Sequence, residues 1–308
     1  MIAMPSYEAI QDEIRSVDGP HEIVRHKYLQ LLSEKTGRNI ITYYCGVAQK
    51  SESQKRRNFA EIGLSDNDKK NLIEAACNLN STRGLDIILH IPSEGINSEI
   101  ANIELVINFL QSKFGTNVRA LIPQIVTSSG TLIAISCKEI LMGNYSSIGP
   151  IDPKIGGLST NGILDEVDRA LIETQVSPVL SNLWSAILSN YDQVFVERCQ
   201  KSLLKVTRVA RSYLISNMFK GDSNAEQKAK RVMDDLGDLS LRKSNNSHIS
   251  LKHAKEIGIN VTDLGEMVEL QHILLSIHYL YLQTFTKTAA LKIIENHHGH
   301  SFIQDIRL

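Results

Sequence analysis

The sequence predicts an α/β fold in which helices alternate with the strands of a parallel sheet. Two segments, Leu85–His90 and Val118–Val126, are almost continuously apolar, as strands buried on both faces are. Each is followed by a segment with apolar residues at helical spacing, and this alternation is typical of βαβ units. Right-handed crossovers would stack such units as successive turns.

The remaining segments are predicted in chain order from their periodicity and their capping residues. Residues 5–36 form two helices broken at Asp18-Gly19-Pro20, Asn39–Cys45 is a strand, Ser51–Arg57 is a polar loop, Ser65 caps a helix to about Leu79, and residues 99–114 form a helix. After Asp152 the pattern is mainly helical: 164–173, 180–188, 193–219, 225–236, 250–257, a long helix from Met267 to about Thr284, and a last helix around Ile293.

The composition is that of a globular protein and argues against several function classes. Of the 308 residues, 42% are hydrophobic and 22% are charged, with a formal net charge of -1, so no overall basic field indicates nucleic acid. No apolar run approaches the roughly 20 residues that span a bilayer, and the N-terminus lacks the pattern of a secretory signal. Four scattered cysteines predict buried free thiols in a reducing cytoplasm, without a metal site or cofactor: Cys45, Cys77, Cys137 and Cys199.

The segment from Ile125 to Ala134 carries the strongest sign of chemistry. An apolar strand ends in Thr127-Ser128-Ser129-Gly130-Thr131, and an apolar helical pattern follows at once. A serine at such a junction lies where helix N–H groups converge, which favours the negative charge formed when a serine attacks a carbonyl. An ordinary Ser/Thr helix cap fits the same residues.

A second segment, Ser146 to Lys154, contains Ile148-Gly149-Pro150-Ile151-Asp152-Pro153 after a short strand. Together with Ser-x-Gly-Thr, it resembles the serine dehydrogenase proteinase family, relatives of the Clp protease proteolytic subunit and of signal peptide peptidase A. The resemblance runs from about Ile40 to Leu264. It implies ClpP/crotonase-like stacked ββα units at 38–264, with helical extensions at 1–37 and 265–308, and a homo-oligomer acting on peptide or protein substrates.

The resemblance also implies a Ser, Asp, His triad in that chain order. Ser128 matches the nucleophile, and Ser129 would supply a backbone N–H to the oxyanion, although the register between the two depends on one Gly-Thr pair. Asp152 would orient an imidazole, and its alternative is a turn aspartate between two prolines. His248 is the candidate base, its alternative is an exposed loop residue beside a helix cap, and an ungapped match puts Asn245 at that position. His253, and the terminal His297, His298 and His300, are expected at the surface.

The turn after the Leu85–His90 strand departs from the family, because Pro92-Ser93-Glu94-Gly95 replaces paired glycines. Backbone N–H groups at Glu94 and Gly95 can still face an oxyanion, since the donor is main chain. Three alternatives stay open. They are a Ser-Lys dyad using Lys154, Lys201 or Lys205, a non-catalytic scaffold or peptide-binding protein, and a crotonase-like acyl-thioester enzyme.

Overall fold

The computed structural model describes residues 5–16, 21–92, 100–237 and 248–307. Its main sheet has seven strands in the order β10-β5-β3-β2-β1-β11-β12. The first five are parallel, whereas β11 is antiparallel to β1 and to β12. In chain order the strands are β1 (Asn39–Cys45), β2 (Leu85–His90), β3 (Val118–Ile122), β4 (Ile125–Val126), β5 (Glu139–Met142), β6 (Ser147–Ile148), β7 (Lys154–Ile155), β8 (Leu158–Ser159), β9 (Ile249–Ser250), β10 (Val261–Asp263), β11 (Ala290–Asn296) and β12 (Ser301–Asp305).

Helices cover both faces of this sheet. Along β2, Ile87 and Leu89 join one core with α5, α6 and α7, and Ile88 joins a second core with α2 and α13, so successive side chains face opposite layers. The helices are α1 (Tyr7–Ser16), α2 (His21–Thr36), α3 (Glu52–Arg57), α4 (Phe59–Ile62), α5 (Asp66–Cys77), α6 (Ile100–Phe114), α7 (Ser129–Ile135), α8 (Thr160–Val176), α9 (Ser181–Leu188), α10 (Gln193–Tyr213), α11 (Ala225–Gly237), α12 (Leu251–Ile257) and α13 (Val268–Lys287).

A second, small sheet lies beside the main one, with the order β4-β6-β9. The single strand predicted at Val118–Val126 is in fact two, β3 in the main sheet and β4 in the small one. Pro123 lies between them, and a proline cannot donate to a sheet ladder, so the chain changes sheet there. Ser128 therefore comes after a strand of the small sheet, not after a strand of the main sheet.

The last helix predicted around Ile293 is not present, because Ala290–Asn296 is strand β11, buried along its whole length. Lys292 and Glu295 on this strand are buried in ion pairs, with Asp68 on α5 and Arg25 on α2. The C-terminal extension thus contains the predicted long helix, α13, followed by a hairpin that completes the main sheet. The division into 1–37, 38–264 and 265–308 stays a prediction.

Three smaller predictions are also wrong. Residues 52–57 form helix α3 rather than a loop, since Ser51 and Gln54 complete a capping box. His297 is buried and its backbone N–H donates to the Ile40 carbonyl, whereas His298 and His300 are exposed as expected. Cys77 is exposed, unlike the three buried cysteines. Within the described ranges, no helix is both long and apolar enough to cross a membrane.

Candidate active site

Ser128 lies in the turn between β4 and α7. Its N–H donates to the Pro150 carbonyl at 3.0 Å, and its carbonyl accepts from the Leu132 N–H at 2.9 Å. The Thr131 hydroxyl donates to the Gly149 carbonyl at 2.8 Å, which joins the first turn of α7 to the end of β6. The two sequence segments that carry the family resemblance are therefore bonded to each other in the structure.

The backbone of Ser128 is strained, with φ of 47° and ψ of -107°. It is the one non-glycine residue with positive φ in the parts of the chain that the structure describes. Its side chain makes no capping hydrogen bond, so the interpretation of Ser128 as an ordinary helix cap is wrong. Strain of this kind persists where neighbouring contacts enforce it and is common at nucleophiles set between a strand and a helix.

His248 directly precedes β9, and the small sheet places it opposite Gly149, in the same row as Thr127. Val126 pairs with Ile148, and Ile148 pairs with Ile249, so Thr127, Gly149 and His248 follow in one row across the three strands. A β-carbon added at Gly149 would lie 2.8 Å from Thr127 Cγ2 and 3.2 Å from His248 Nδ1. The imidazole therefore lies against Gly149, next to the residue that precedes Ser128.

Asp152 lies between Ile151 and Pro153, which both line the small cavity beside Ser128. Its Oδ1 accepts from Asn161, at 3.1 Å from the backbone N–H and 2.7 Å from Nδ2, and this fixes the first turn of α8. No hydrogen bond or ion pair between the described Asp152 and His248 side chains is present. The structure thus places His248 against Gly149, near Ser128, and bonds Asp152 to the first turn of α8.

The cavity beside Ser128 has a volume of about 20 Å³, enough for about one water molecule. Its walls are apolar apart from the two serines. Its lining comes from α6, α7, α10 and the segment after β6: Ile100, Ile103, Ser128, Ser129, Leu132, Ile151, Pro153 and Val206. Of the described residues that line it, none is charged, so a negative oxygen formed there would depend on main-chain donors.

One such donor is the N–H of Ser129, the first residue of α7, which donates to no carbonyl of the described residues. Glu94 and Gly95, the other predicted donors, lie outside the described residues. The described chain before them ends near Ser128, because the Ile91 carbonyl accepts from the Thr127 hydroxyl at 3.1 Å. Ile91 also forms a parallel bridge with Val126.

The lysines proposed for a Ser-Lys dyad are placed differently from His248. Lys205 pairs with Glu104 at 3.5 Å, and Lys201 pairs with Glu197 at 3.5 Å. Lys154 lies on β7, beyond Asp152. Asn245, which an ungapped match puts in place of His248, lies outside the described residues. His253 is on α12, 3.8 Å from Asp235.

Sequence reasoning missed Asn161, Thr127 and Gly149 as parts of this site. Asn161 gives no local signal, because its bond to Asp152 forms only when α8 folds back after β8. Gly149 has a signal in the Gly-Pro pair, since only a residue without a side chain leaves room for the imidazole. The role of Thr127 follows from the bridge to Ile91, which no local pattern contains.

Comparison with known proteins matches residues 23–295 to the family described as ClpP-like SDH-type serine proteinase. The uncharacterised protein MJ0137 of Methanocaldococcus jannaschii is 23% identical over 257 residues, which is 80% of this chain and 77% of that protein. The uncharacterised protein MJ1495 of the same organism is 33% identical over 85 residues, 28% of this chain and 27% of its own length. No solved structure matches the chain. The chain belongs to the ClpP-like SDH-type serine proteinase family.

Proposed function

We propose that the chain is a serine peptidase in which Ser128 Oγ attacks the peptide carbonyl. The strained backbone of Ser128 is the observation that carries this proposal. It supports a nucleophile because the turn holds the serine at the rim of a cavity while leaving its hydroxyl uninvolved in helix capping. A serine hydroxyl also needs a base to take its proton.

His248 is that base in our proposal. Its imidazole lies against Gly149, in the row of residues that includes Thr127, and Thr127 directly precedes Ser128. The imidazole takes the Ser128 proton as the serine oxygen bonds to the carbonyl carbon. It then returns this proton to the leaving amine, and water reverses the sequence to release the acid.

Asp152 orients the imidazole in this proposal and stabilises its positive charge. One carboxylate oxygen, Oδ1, is engaged by Asn161, which leaves Oδ2 for the histidine. Burial raises the pKa of the Cys199 thiol and the Asp152 carboxylate adds to the increase, so α10 passes within electrostatic reach of this carboxylate. The site is therefore completed by α8 and α10 as well as by the small sheet.

The backbone N–H groups of Ser129 and of the Glu94-Gly95 turn form the oxyanion hole in our proposal. Two observations support this arrangement: the Ser129 N–H donates to no carbonyl of the described residues, and Thr127 bonds to Ile91, three positions before Glu94. Peptide or protein substrates, a homo-oligomeric assembly and a cytoplasmic location complete the proposal. The unpaired cysteines support the last of these.

A fluorophosphonate probe, which bonds covalently to activated serines, tests the proposal. We expect the wild-type protein to be labelled, Ser128→Ala to lose labelling completely, and Ser129→Ala to keep it, since residue 129 contributes only its main chain. Labelling that survives Ser128→Ala would contradict the assignment. A folded wild-type protein that no probe labels would favour a non-catalytic scaffold.

A further inference from the structure

The small cavity beside Ser128 has walls that belong to the main core of the protein. Four of its wall residues are part of the large core cluster and are at most 6% exposed: Ile103, Leu132, Ile151 and Val206. They come from α6, α7, the segment after β6, and α10. Protein interiors are close-packed, so a larger group forced between such residues costs stability. The size of the cavity, about 20 Å³, is therefore set by core packing.

Helix α10, which contributes Val206, is hydrogen-bonded to the helices that contribute other walls. The Tyr213 hydroxyl, at the end of α10, donates to Asn108 Oδ1 on α6 at 2.9 Å. In the π-helical turn that follows α10, Asn217 Nδ2 donates to the carbonyl of Ser136, at the end of α7, at 2.8 Å. These bonds hold α10 against α6 and α7. A group larger than the cavity would have to break such contacts or displace core side chains.

The charged residues that adjoin the walls in the chain have partners within the protein. Glu104 on α6 and Lys205 on α10 pair with each other at 3.5 Å. Asp152 Oδ1 accepts two hydrogen bonds from Asn161. A charged group that entered the cavity would lose its hydration, and no charged side chain among the described lining residues would replace that hydration. A methyl group gains from leaving water. The cavity is therefore suited to a small apolar group.

One substrate side chain is nearest to this cavity when Ser128 attacks a peptide. It belongs to the residue whose carbonyl is attacked, which we call the acyl residue. Its α-carbon is bonded directly to the carbonyl carbon, whereas the α-carbon on the leaving side is separated from that carbon by the amide nitrogen. The acyl residue also stays bonded to the serine oxygen in the covalent intermediate. Because Ser128 and Ser129 both line the cavity, the acyl side chain begins at its rim.

We propose that this cavity receives the side chain of the acyl residue and limits it to the size of a methyl group. The protein then cleaves after alanine in preference to larger or charged residues. This inference rests on the proposed function, since a cavity beside an unreactive serine selects no substrate, and it names the substrate class of that site. Val206 is the specificity-determining residue in this proposal, because α10 brings it from the helical part of the chain to complete the wall.

Peptidyl diphenyl phosphonates test the proposal, because their phosphorus bonds to an activated serine oxygen and releases phenol. The compounds differ only at the acyl position, which is glycine, alanine, leucine, phenylalanine, aspartate or lysine, and the rate is followed as loss of fluorophosphonate labelling. We expect the alanine compound to react fastest, by about tenfold or more over the larger and charged ones, since an apolar pocket discriminates a methylene group by at least that factor. A fastest reaction with any larger or charged compound overturns the inference.

Val206→Ala should raise the ratio of the leucine rate to the alanine rate about tenfold, because it widens the cavity. Val209→Ala is the matched control, since Val209 lies on the same helix and in the same core but does not line the cavity. A ratio of two rates within one protein is not moved by a loss of stability that both variants share.

The outcomes separate this inference from the proposed function. A wild-type protein that reacts with neither the fluorophosphonate nor any phosphonate contradicts the proposed function, and the inference with it. Equal rates across the series, in a protein that the fluorophosphonate labels at Ser128, overturn the inference alone, because the cavity then does not receive the acyl side chain. An equal change of the ratio in Val206→Ala and Val209→Ala overturns the assignment to Val206.

Discussion

Three hydrogen bonds at and around Ser128 maintain its backbone conformation. Pro150 accepts its N–H, Thr127 bonds to Ile91, and Thr131 bonds to Gly149. A non-glycine residue with such a backbone costs of the order of 1–3 kcal/mol, and it survives only where the surroundings enforce it. Thr127 and Thr131 therefore stabilise this backbone conformation. This explains why residues with hydroxyl groups cluster at this point of the sequence.

Replacing His248 tests the base at the residue scale. His248→Gln keeps a polar side chain of similar size but cannot take a proton, so the rate of probe labelling should fall by roughly 10²–10⁴-fold, the usual contribution of a general base. His253→Gln is the control, because His253 lies on α12 near Asp235 and should leave the rate unchanged. Equal rates for wild type and His248→Gln would remove His248 from the proposal.

The candidate site could be predicted from sequence only in part. The Ser-x-Gly-Thr and Gly-Pro-Ile-Asp-Pro motifs led to Ser128 and Asp152, because both are short local patterns. Asn161 could not be found in this way, since its contact with Asp152 depends on how α8 packs after the β7–β8 hairpin. Composition also could not separate Ser128 from Ser129 as the proposed nucleophile, and the positive φ of Ser128 supports the choice of Ser128.

At the scale of elements, the three-stranded sheet β4-β6-β9 does most to organise the site. It contributes two residues from each strand, and its register alone aligns Thr127, Gly149 and His248. Two-residue strands are weak by themselves, so this alignment depends on the contact of β4 with β2 through the Ile91–Val126 bridge. Crowding at Gly149 should therefore move the imidazole before it unfolds the protein.

Gly149→Ala tests this arrangement. The added methyl group would clash with Thr127 and crowd the His248 ring, so we expect slower probe labelling with a far-UV circular dichroism spectrum like that of wild type. Gly143→Ala is a suitable control, because a β-carbon there meets only the ends of the Tyr145 and Gln271 side chains, at 3.1–3.3 Å. If Gly149→Ala labels as fast as wild type, the imidazole does not act from this position.

Strand β11 shows why local sequence periodicity does not predict a strand that contains buried charged side chains. Lys292 is fully buried and donates 2.6 Å hydrogen bonds to Asp68 and to the Gly63 carbonyl, which are more than 220 positions away in the chain. A reader of the sequence assigns such residues to a solvated face, because unpaired lysines are rarely buried.

Removing this lysine should destabilise the whole protein. Lys292→Met preserves most of the volume but leaves the Asp68 carboxylate buried without its partner, and this typically costs about 3–5 kcal/mol. The measurement is the free energy of unfolding in urea. Lys70→Met should cost below about 1 kcal/mol, because its pair with Glu74 is exposed. A similar loss in both variants would contradict the account of β11.

At the scale of the whole molecule, the parallel sheet was the most predictable feature. Its central strands are continuous apolar runs separated by helices, and this pattern is local and strong. The antiparallel hairpin at its edge was not predictable, because its stability comes from pairing with β1 and from buried ion pairs with α2 and α5. The central strands of the sheet can thus be predicted from local sequence, whereas its antiparallel edge cannot.

The stability of the fold should depend on pH through two buried histidines that face each other between β2 and α13. Burial lowers the pKa of His90 to about 4, and burial together with the charge of His90 lowers the pKa of His278 well below its ordinary value. Neither ring nitrogen of His90 has a hydrogen-bond partner in the described chain. Between pH 6.5 and about 4 the unfolded chain binds the protons that the folded protein excludes, so stability falls with falling pH.

For each such histidine the slope reaches up to about 1.4 kcal/mol per pH unit. His90→Phe, which cannot titrate, should flatten the dependence of the unfolding free energy on pH across this window. His300→Phe is the control for the substitution itself, because His300 is exposed. Parallel curves for wild type and His90→Phe would show that His90 is not held neutral by burial.

The identity of the serine that reacts is the most direct test of the central claim. Trypsin releases the peptide 120–138, which contains both candidate serines, and fragmentation of this peptide after fluorophosphonate treatment assigns the adduct to one of them. We predict that the adduct is on Ser128, in native protein only, and that it is absent after unfolding in urea. An adduct on Ser129, or an unmodified peptide from native protein at saturating probe, would contradict the account.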